Sequence, residues 1–326
     1  MSIRKCFNLI ILTISQFTEK IVIKNEIIKK YGNQKFITFY LGTSQDGCGG
    51  LGNMMWRIAS IFALGKSLNR TVYFEKNYLC LYNYKERFKE IFNNNYKIFN
   101  FMTPKDKYIK TIMFGGNCCK FESIENLKNK KETILRLFGN YFQSYKYFIN
   151  YTEEIREFYK FNKNIQKRGD LIAKKLFKTN NNEYKLCVHI RRGDFIQIGQ
   201  ANKNFINELE INDEQYKIYK PEIKNSGVDM YFASNYCNSL LITASTSTYA
   251  WWIGFLMKKD VEIFYYDCHF EYIKSSKLII CYKGKVISGI CICDQNYIGK
   301  FCEREMHCLG FERTENGSLE TDLYNK

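Results

Sequence analysis

The feature that most constrains this chain is a change of hydrophobic period on either side of a glycine cluster. From Lys35 to Ser44, Phe36, Ile37, Phe39, Tyr40 and Leu41 form a β-type run. The run ends in a turn from Gly47 to Gly52, and Met55, Ile58, Ala59, Phe62 and Leu64 to Leu68 then recur near helical spacing. Thr71 to Phe74 reads as a second strand, so a β-loop-α-β unit is expected. A second alternation follows a polar break at 180–182. Leu186, Val188 and Ile190 alternate with Cys187, His189 and Arg191, the period of a strand. Asp229 to Cys237 then suits a helix, Leu240 to Ala244 a buried strand, Ser245 to Thr248 a polar turn, Tyr249 to Met257 a helix and Val261 to Tyr266 another strand. Strands that alternate with helices predict an α/β fold with binding sites at strand C-termini. The stretch from Tyr78 to Lys131 has no clear period, and Arg136 to Lys178 reads as mainly helical.

With 326 residues, the chain can form one large or two medium domains, and a hydrophobic share of 45% excludes a disordered chain. Lys and Arg number 49 against 33 Asp and Glu, leaving a net charge of +16. Such a charge invites an anionic partner: nucleic acid, a membrane surface or a phosphorylated small molecule. Lys, Asn, Ile, Tyr and Phe all have A/T-rich codons, so base composition is a competing explanation for the lysines. The basic residues are scattered and no nucleic-acid-binding motif occurs, which argues against nucleic acid. Arginine is scarce, at 11 residues, so a place where arginines adjoin carries more information than a lysine run.

Thirteen cysteines, five of them after residue 280, suggest an extracellular or lumenal setting. At the N-terminus, Arg4 and Lys5 precede an apolar run from Phe7 to Ile14, too short to span a bilayer. Residues 1–30 fit a signal peptide or a short membrane anchor, with an ordinary first buried element as the alternative.

Three constellations could carry chemistry. In Gly49-Gly50-Leu51-Gly52-Asn53, small residues between a strand and a helix let backbone amides approach an anion, unless they form only a tight turn. In His189-Ile190-Arg191-Arg192-Gly193-Asp194, two adjacent guanidiniums at a strand end can grip a diphosphate, and the carboxylate can fix one of them. The plainer reading is a solvated turn with a local Arg–Asp pair. Ser245-Thr246-Ser247-Thr248 either caps the following helix or holds phosphate and sugar oxygens. Trp251 and Trp252 read as packing residues.

Taken in order, these stretches resemble glycosyltransferase family 11, the α-1,2-fucosyltransferases, in a nematode-like form. Gly49 to Trp56 resembles the family's G-G-L-G-N-Q-hydrophobic-aromatic opening, with Met54 where Gln is usual. Asn140 to Phe148 resembles its G-Y-F-Q-S-x-K-Y-F stretch, and His189 to Asp194 its H-x-R-R-G-D motif. Ser245 to Trp252 resembles its S-T-x-S-x-x-W-W segment, with Thr248 shifting the hydroxyl pattern. The likeness spans about residues 36–267.

The resemblance implies a GT-B-like pair of Rossmann-type domains, the first over 35–180 and the second, a nucleotide-sugar-binding domain, over 185–267. It implies GDP-fucose as donor, inversion at the anomeric carbon and a galactose-terminated glycan as acceptor. Arg191 and Arg192 would neutralise the departing phosphate. Gly50, Gly52, Asn53, His189, Asp194, Ser245, Thr246 and Ser247 would line the donor pocket. No D-x-D pair occurs in the chain, so no metal or other cofactor is expected. The 34 residues between Asp194 and Asp229 are fewer than the family usually places there, so the second domain reads as truncated. This shortening opens a second reading, a catalytically inactive secreted binding protein. Cys291, Cys293 and Cys302, with Tyr297 and Gly299, resemble the last half of an EGF-like module, which would occupy 268–308 ahead of a tail at 309–326 and would pair Cys293 with Cys302. The expected location is the Golgi membrane or lumen.

Overall fold

In the computed structural model, the described residues are 26, 29–41, 48–93, 95–116, 120–139, 141–177, 183–191, 219, 221–244, 246–258, 261–265, 284–287 and 290–293. Strand β1 (Phe36–Phe39) is buried along its whole length, as a strand covered on both faces should be. It leads through the glycine cluster into helix α1 (Leu51–Ser67). β1 pairs in parallel with β2 (Thr71–Val72) and with β6 (Ile134–Phe138), and β6 pairs with β5 (Ile109–Met113), so the first sheet has the order β2-β1-β6-β5. The single strand expected at Thr71 to Phe74 divides, because β3 (Phe74–Glu75) leaves this sheet to pair with β4 (Phe101–Met102). Helix α2 (Leu79–Ile91) lies between β3 and β4, and the short α3 (Glu125–Lys128) precedes β6.

The helical expectation for Arg136 to Lys178 is corrected at its start. Arg136 to Phe138 are the end of β6, and helix begins only with α4 (Thr152–Phe158) and α5 (Lys163–Phe177). Leu135 and Leu137 alternate with Arg136 and Phe138, a period of two that a reading centred on later residues overlooked.

The second sheet is parallel with the order β7-β8-β9, made by β7 (Leu186–His189), β8 (Ser239–Ile242) and β9 (Glu262–Tyr265). Its crossover helices are α6 (Ser226–Tyr236) and α7 (Thr248–Leu256). Two parallel sheets with helical crossovers bear out the α/β expectation. α5 packs on α6, where Gly169 lets the Tyr231 ring approach to within 2.3 Å of where a Cβ would stand, and Asp170 accepts hydrogen bonds from Tyr231 and Tyr236 at 2.7 Å each.

Helix α1 explains how the two sheets share one core. Thirteen of its 17 residues are buried, leaving it apolar nearly all round. Trp56 on α1 meets Trp251 and Trp252 on α7 with ring centroids at 4.2 and 5.4 Å, and Phe148 and Tyr159 close the cluster around Trp252. Trp251 and Trp252 are indeed packing residues, 4% and 0% exposed. Two disulfides tie the two halves locally: Cys48–Cys80 joins the loop before α1 to α2, and Cys187–Cys237 joins β7 to the end of α6. A hairpin of β10 (Gly284–Ile287) and β11 (Ile290–Cys293) is antiparallel. Cys302 lies outside the described residues, as do most of 268–308, the whole tail 309–326, residues 1–25 and the shortened stretch 195–218. No helix among the described residues is long and apolar enough to cross a membrane.

Candidate functional site

The N-termini of α1 and α7 meet at the C-terminal ends of the two sheets. Gly49 enters α1 with φ +69°, the left-handed region that favours glycine, and a Cβ there would strike the Tyr141 ring at 2.9 Å. Gly50 is the N-cap of α1 and, having no side chain, leaves the first-turn amides without a side-chain cap. Among the described residues, nothing lies within 4 Å of where its Cβ would be. α7 differs: Ser247 is buried and its hydroxyl accepts from the Ala250 amide at 3.3 Å, so it caps the helix. Thr246 is exposed, and Ser245 lies outside the described residues.

Gly52 serves the contact between helices. A Cβ on it would fall 2.6 Å from the Tyr249 nitrogen and 2.7 Å from the Thr248 carbonyl carbon, both backbone atoms that cannot give way. Its carbonyl accepts from the Trp252 indole at 3.1 Å. The Asn53 Oδ1 accepts from the Thr248 hydroxyl at 2.8 Å and the Gln143 amide at 3.0 Å, joining α1, α7 and the loop after β6.

Three contacts, two from α2 and one from α1, fix the loop before α1. Besides the Cys48–Cys80 bond, the Arg57 guanidinium donates to the Cys48 carbonyl at 3.2 Å, and the Tyr84 hydroxyl donates to the Gly49 carbonyl. Arg57 lies 4.2 Å from the Tyr141 ring centroid, and burial pulls its pKa down to about 10, so it stays charged at neutral pH.

His189 ends β7 and is half-buried. Thr243 donates to its carbonyl through both hydroxyl and amide, at 3.0 and 3.2 Å. Its Nδ1 is buried without a hydrogen-bond partner among the described residues. Burial, reinforced by the Arg191 charge, lowers the imidazole pKa to about 4, so the ring is neutral at physiological pH. Arg191 is described and half-buried, whereas Arg192, Gly193 and Asp194 lie outside the described residues.

A second polar group, unforeseen in the sequence, stands behind His189. The Tyr249 ring lies 5.7 Å from the imidazole, and its hydroxyl lies 2.6 Å from the Ser226 carbonyl and 2.9 Å from Asp229 Oδ2. Burial raises the Asp229 pKa, with the Tyr249 hydrogen bond pulling the other way. Arg87 on α2 donates to the Ser226 hydroxyl at 3.0 Å, which ties this group to the first unit. Asp229 had shown only as a helix residue, since its role depends on a burial that spacing does not reveal. Among the described residues, no three His, Cys, Asp or Glu side chains converge as a metal site would require.

The sequence comparisons bear on what this arrangement belongs to. No protein-family model matches the chain. The Caenorhabditis elegans svh-11 protein, provisionally named a galactoside 2-alpha-L-fucosyltransferase, is 29% identical over 287 residues, covering 74% of each chain. Two further C. elegans proteins, each named galactoside 2-alpha-L-fucosyltransferase, are 26% and 24% identical over 67% of this chain and 70% and 68% of their own. This chain is a homologue of the C. elegans fucosyltransferases. The resemblance read from its four motifs is therefore borne out. Among solved structures, apo POFUT1 gives a TM-score of 0.42 at 10% identity over 72% of this chain and 98% of its own. NodZ alpha-1,6-fucosyltransferase co-crystallized with GDP gives 0.39 at 12% over 69% and 93%. At these scores neither places a residue of this fucosyltransferase homologue.

Proposed function

We propose that this protein transfers fucose from GDP-fucose to the 2-hydroxyl of a terminal galactose on a glycan, inverting the anomeric centre. The observation that carries the reading is the start of α1, which no side chain caps among the described residues, packed against α7 beside His189, in a chain whose relatives are named galactoside 2-alpha-L-fucosyltransferases.

When the fucose C1–O bond breaks, negative charge develops on the β-phosphate and must meet donors already in place. The first-turn amides at Leu51, Gly52 and Asn53 supply part of that field. Arg191 and Arg192 supply the fixed charge, and Asp194 orients one of them. A neutral His189 accepts or donates one hydrogen bond without adding a charge that would compete with the arginines. Ser245 and Thr246 contact ribose or phosphate, while Ser247 acts through the cap it gives α7. The arginines do this without a metal, so transfer persists in EDTA. The disulfides suit an oxidising compartment and support a place in the Golgi membrane or lumen.

The test is transfer of radiolabelled fucose from GDP-fucose to β-galactosides, together with GDP calorimetry on the wild type and Arg191→Ala. Transfer by the wild type, and loss of GDP binding in a variant of unchanged Tm, is the expected result. Unchanged GDP affinity in Arg191→Ala overturns the donor assignment. The short stretch between Asp194 and Asp229 favours one other reading, a binding protein that has lost catalysis. Glycan binding without GDP binding would select it.

A further inference from the structure

The first sheet ends in a row of apolar side chains that is open to solvent. Met113 and Phe138 are register partners at the ends of β5 and β6, and they are 68% and 41% exposed. Tyr40 follows β1, its amide donating to the Leu137 carbonyl at 2.8 Å, and its ring stacks on Phe138 at 5.1 Å and 25°. Tyr78 closes the row with its ring edge-on to Tyr40 at 6.3 Å. One row back on the same faces, Arg136 is held by Glu75 at 2.5 Å and reaches Asp106 at 3.5 Å. The Asp106 side chain is 94% exposed. The result is a shelf with aromatic and thioether side chains for a floor and an Arg136–Asp106 ion pair, its carboxylate exposed, for a rim.

Its position connects it to the donor site. Tyr78 immediately precedes α2, whose Cys80 is bonded to Cys48, and Cys48 adjoins Gly49 in the loop that opens α1. Strand C-termini are where parallel α/β sheets take ligands, and ligand sites combine apolar and aromatic side chains with a few placed polar groups.

We infer that this shelf holds the terminal pyranose of the acceptor glycan, a step that rests on the fucosyl-transfer reading above. A pyranose has an apolar face of C–H bonds and an edge of hydroxyls. The Phe138 ring takes the face, and Asp106 and Arg136 take the edge. A protein partner suits the shelf less well. Four side chains fall far short of the roughly 800 Å² per partner that a stable protein interface covers.

The experiment uses the full chain and three variants, Phe138→Ala, Phe138→Trp and Asp106→Asn. Truncating Phe138 leaves the buried core intact, and Tm with GDP calorimetry checks each variant. Phe138→Ala is expected to raise the KM for a β-galactoside on the order of tenfold, the cost of one apolar contact in a substrate pocket. Phe138→Trp restores it, Asp106→Asn raises it severalfold, and GDP affinity stays constant in all three. An unchanged acceptor KM in both Phe138→Ala and Asp106→Asn overturns the inference. Ligand-observed NMR of the β-galactoside with donor-free wild type separates this from a failure of the donor reading. Galactoside binding that Phe138→Ala abolishes supports the shelf even in a protein that transfers nothing. Equal binding by wild type and Phe138→Ala, or occupation of the shelf by the chain itself so that no galactoside binds, overturns it.

Discussion

Asp229 and Tyr249 pose a problem of proton count that the geometry answers. The tyrosine hydroxyl has one proton and two oxygen neighbours, and the nearer, the Ser226 carbonyl, can only accept. Tyr249 is the donor in the other contact as well, so its one proton is shared between the Ser226 carbonyl and Asp229 Oδ2. Burial raises the Asp229 pKa, and the hydrogen bond from Tyr249 partly offsets this. The sign of the linkage follows: a carboxyl whose folded pKa is raised costs no stability below the unfolded value. It loses stability as pH rises from there through the folded value. Asp229→Asn keeps an oxygen that accepts from Tyr249 without that cost. The variant should match the wild type in Tm below about pH 4, near the ordinary Asp pKa, and be the more stable of the two at pH 7. A variant less stable than wild type at pH 7 would show that the Tyr249 hydrogen bond to the carboxylate outweighs the cost of burying it. His189 runs the opposite way. Its folded pKa of about 4 means the protein loses stability as pH falls from the ordinary histidine value near 6.5, because the unfolded chain takes the proton first. Neither group was legible beforehand as a titrating residue. His189 stood out through its neighbours in the motif, whereas Asp229 gave no signal, because its partner Tyr249 is 20 residues further along the chain, on another helix.

At the scale of elements, the strands and helices of the second half were legible because each combines a short apolar run with a polar turn. α6, β8, α7 and β9 fall within about three residues of their expected bounds. β6 was lost because five residues of alternation were followed by a longer run without it. β3 and β4, two residues each, are too short to leave a period. The disulfides also escaped the sequence reading, since the partners are 32 and 50 positions apart and nothing local identifies them. Cys48–Cys80 holds the loop that carries Gly49 and Gly50. In the chain-entropy picture a loop of that length stabilises the fold by roughly 3–4 kcal/mol. Cys48→Ser with Cys80→Ser should therefore lower Tm, measured by circular dichroism, and weaken GDP binding more than the corresponding Cys187 and Cys237 pair does. Equal losses of GDP affinity in both double variants would separate the loop's restraint from ligand binding.

For the whole molecule, the decisive contacts are those between the two sheets' helices. Gly52, Asn53, Thr248 and Trp252 were all within recognised motifs, yet the sequence suggested that the glycines and Asn53 faced a ligand. The distances show that Gly52 and Asn53 also hold α1 against α7. Gly52→Ala places a methyl against backbone, so it should destabilise by on the order of 1–3 kcal/mol, as overpacking does. The two halves should still unfold together in calorimetry. Separate transitions in the wild type would mean that the shared aromatic cluster does not couple them. This joint has a consequence for binding. With the first turns of both helices fastened side chain to side chain and indole to carbonyl, the halves cannot swing apart at that point without breaking the cluster of tryptophans beneath. Anything bound at these helix starts therefore meets a floor that stays still.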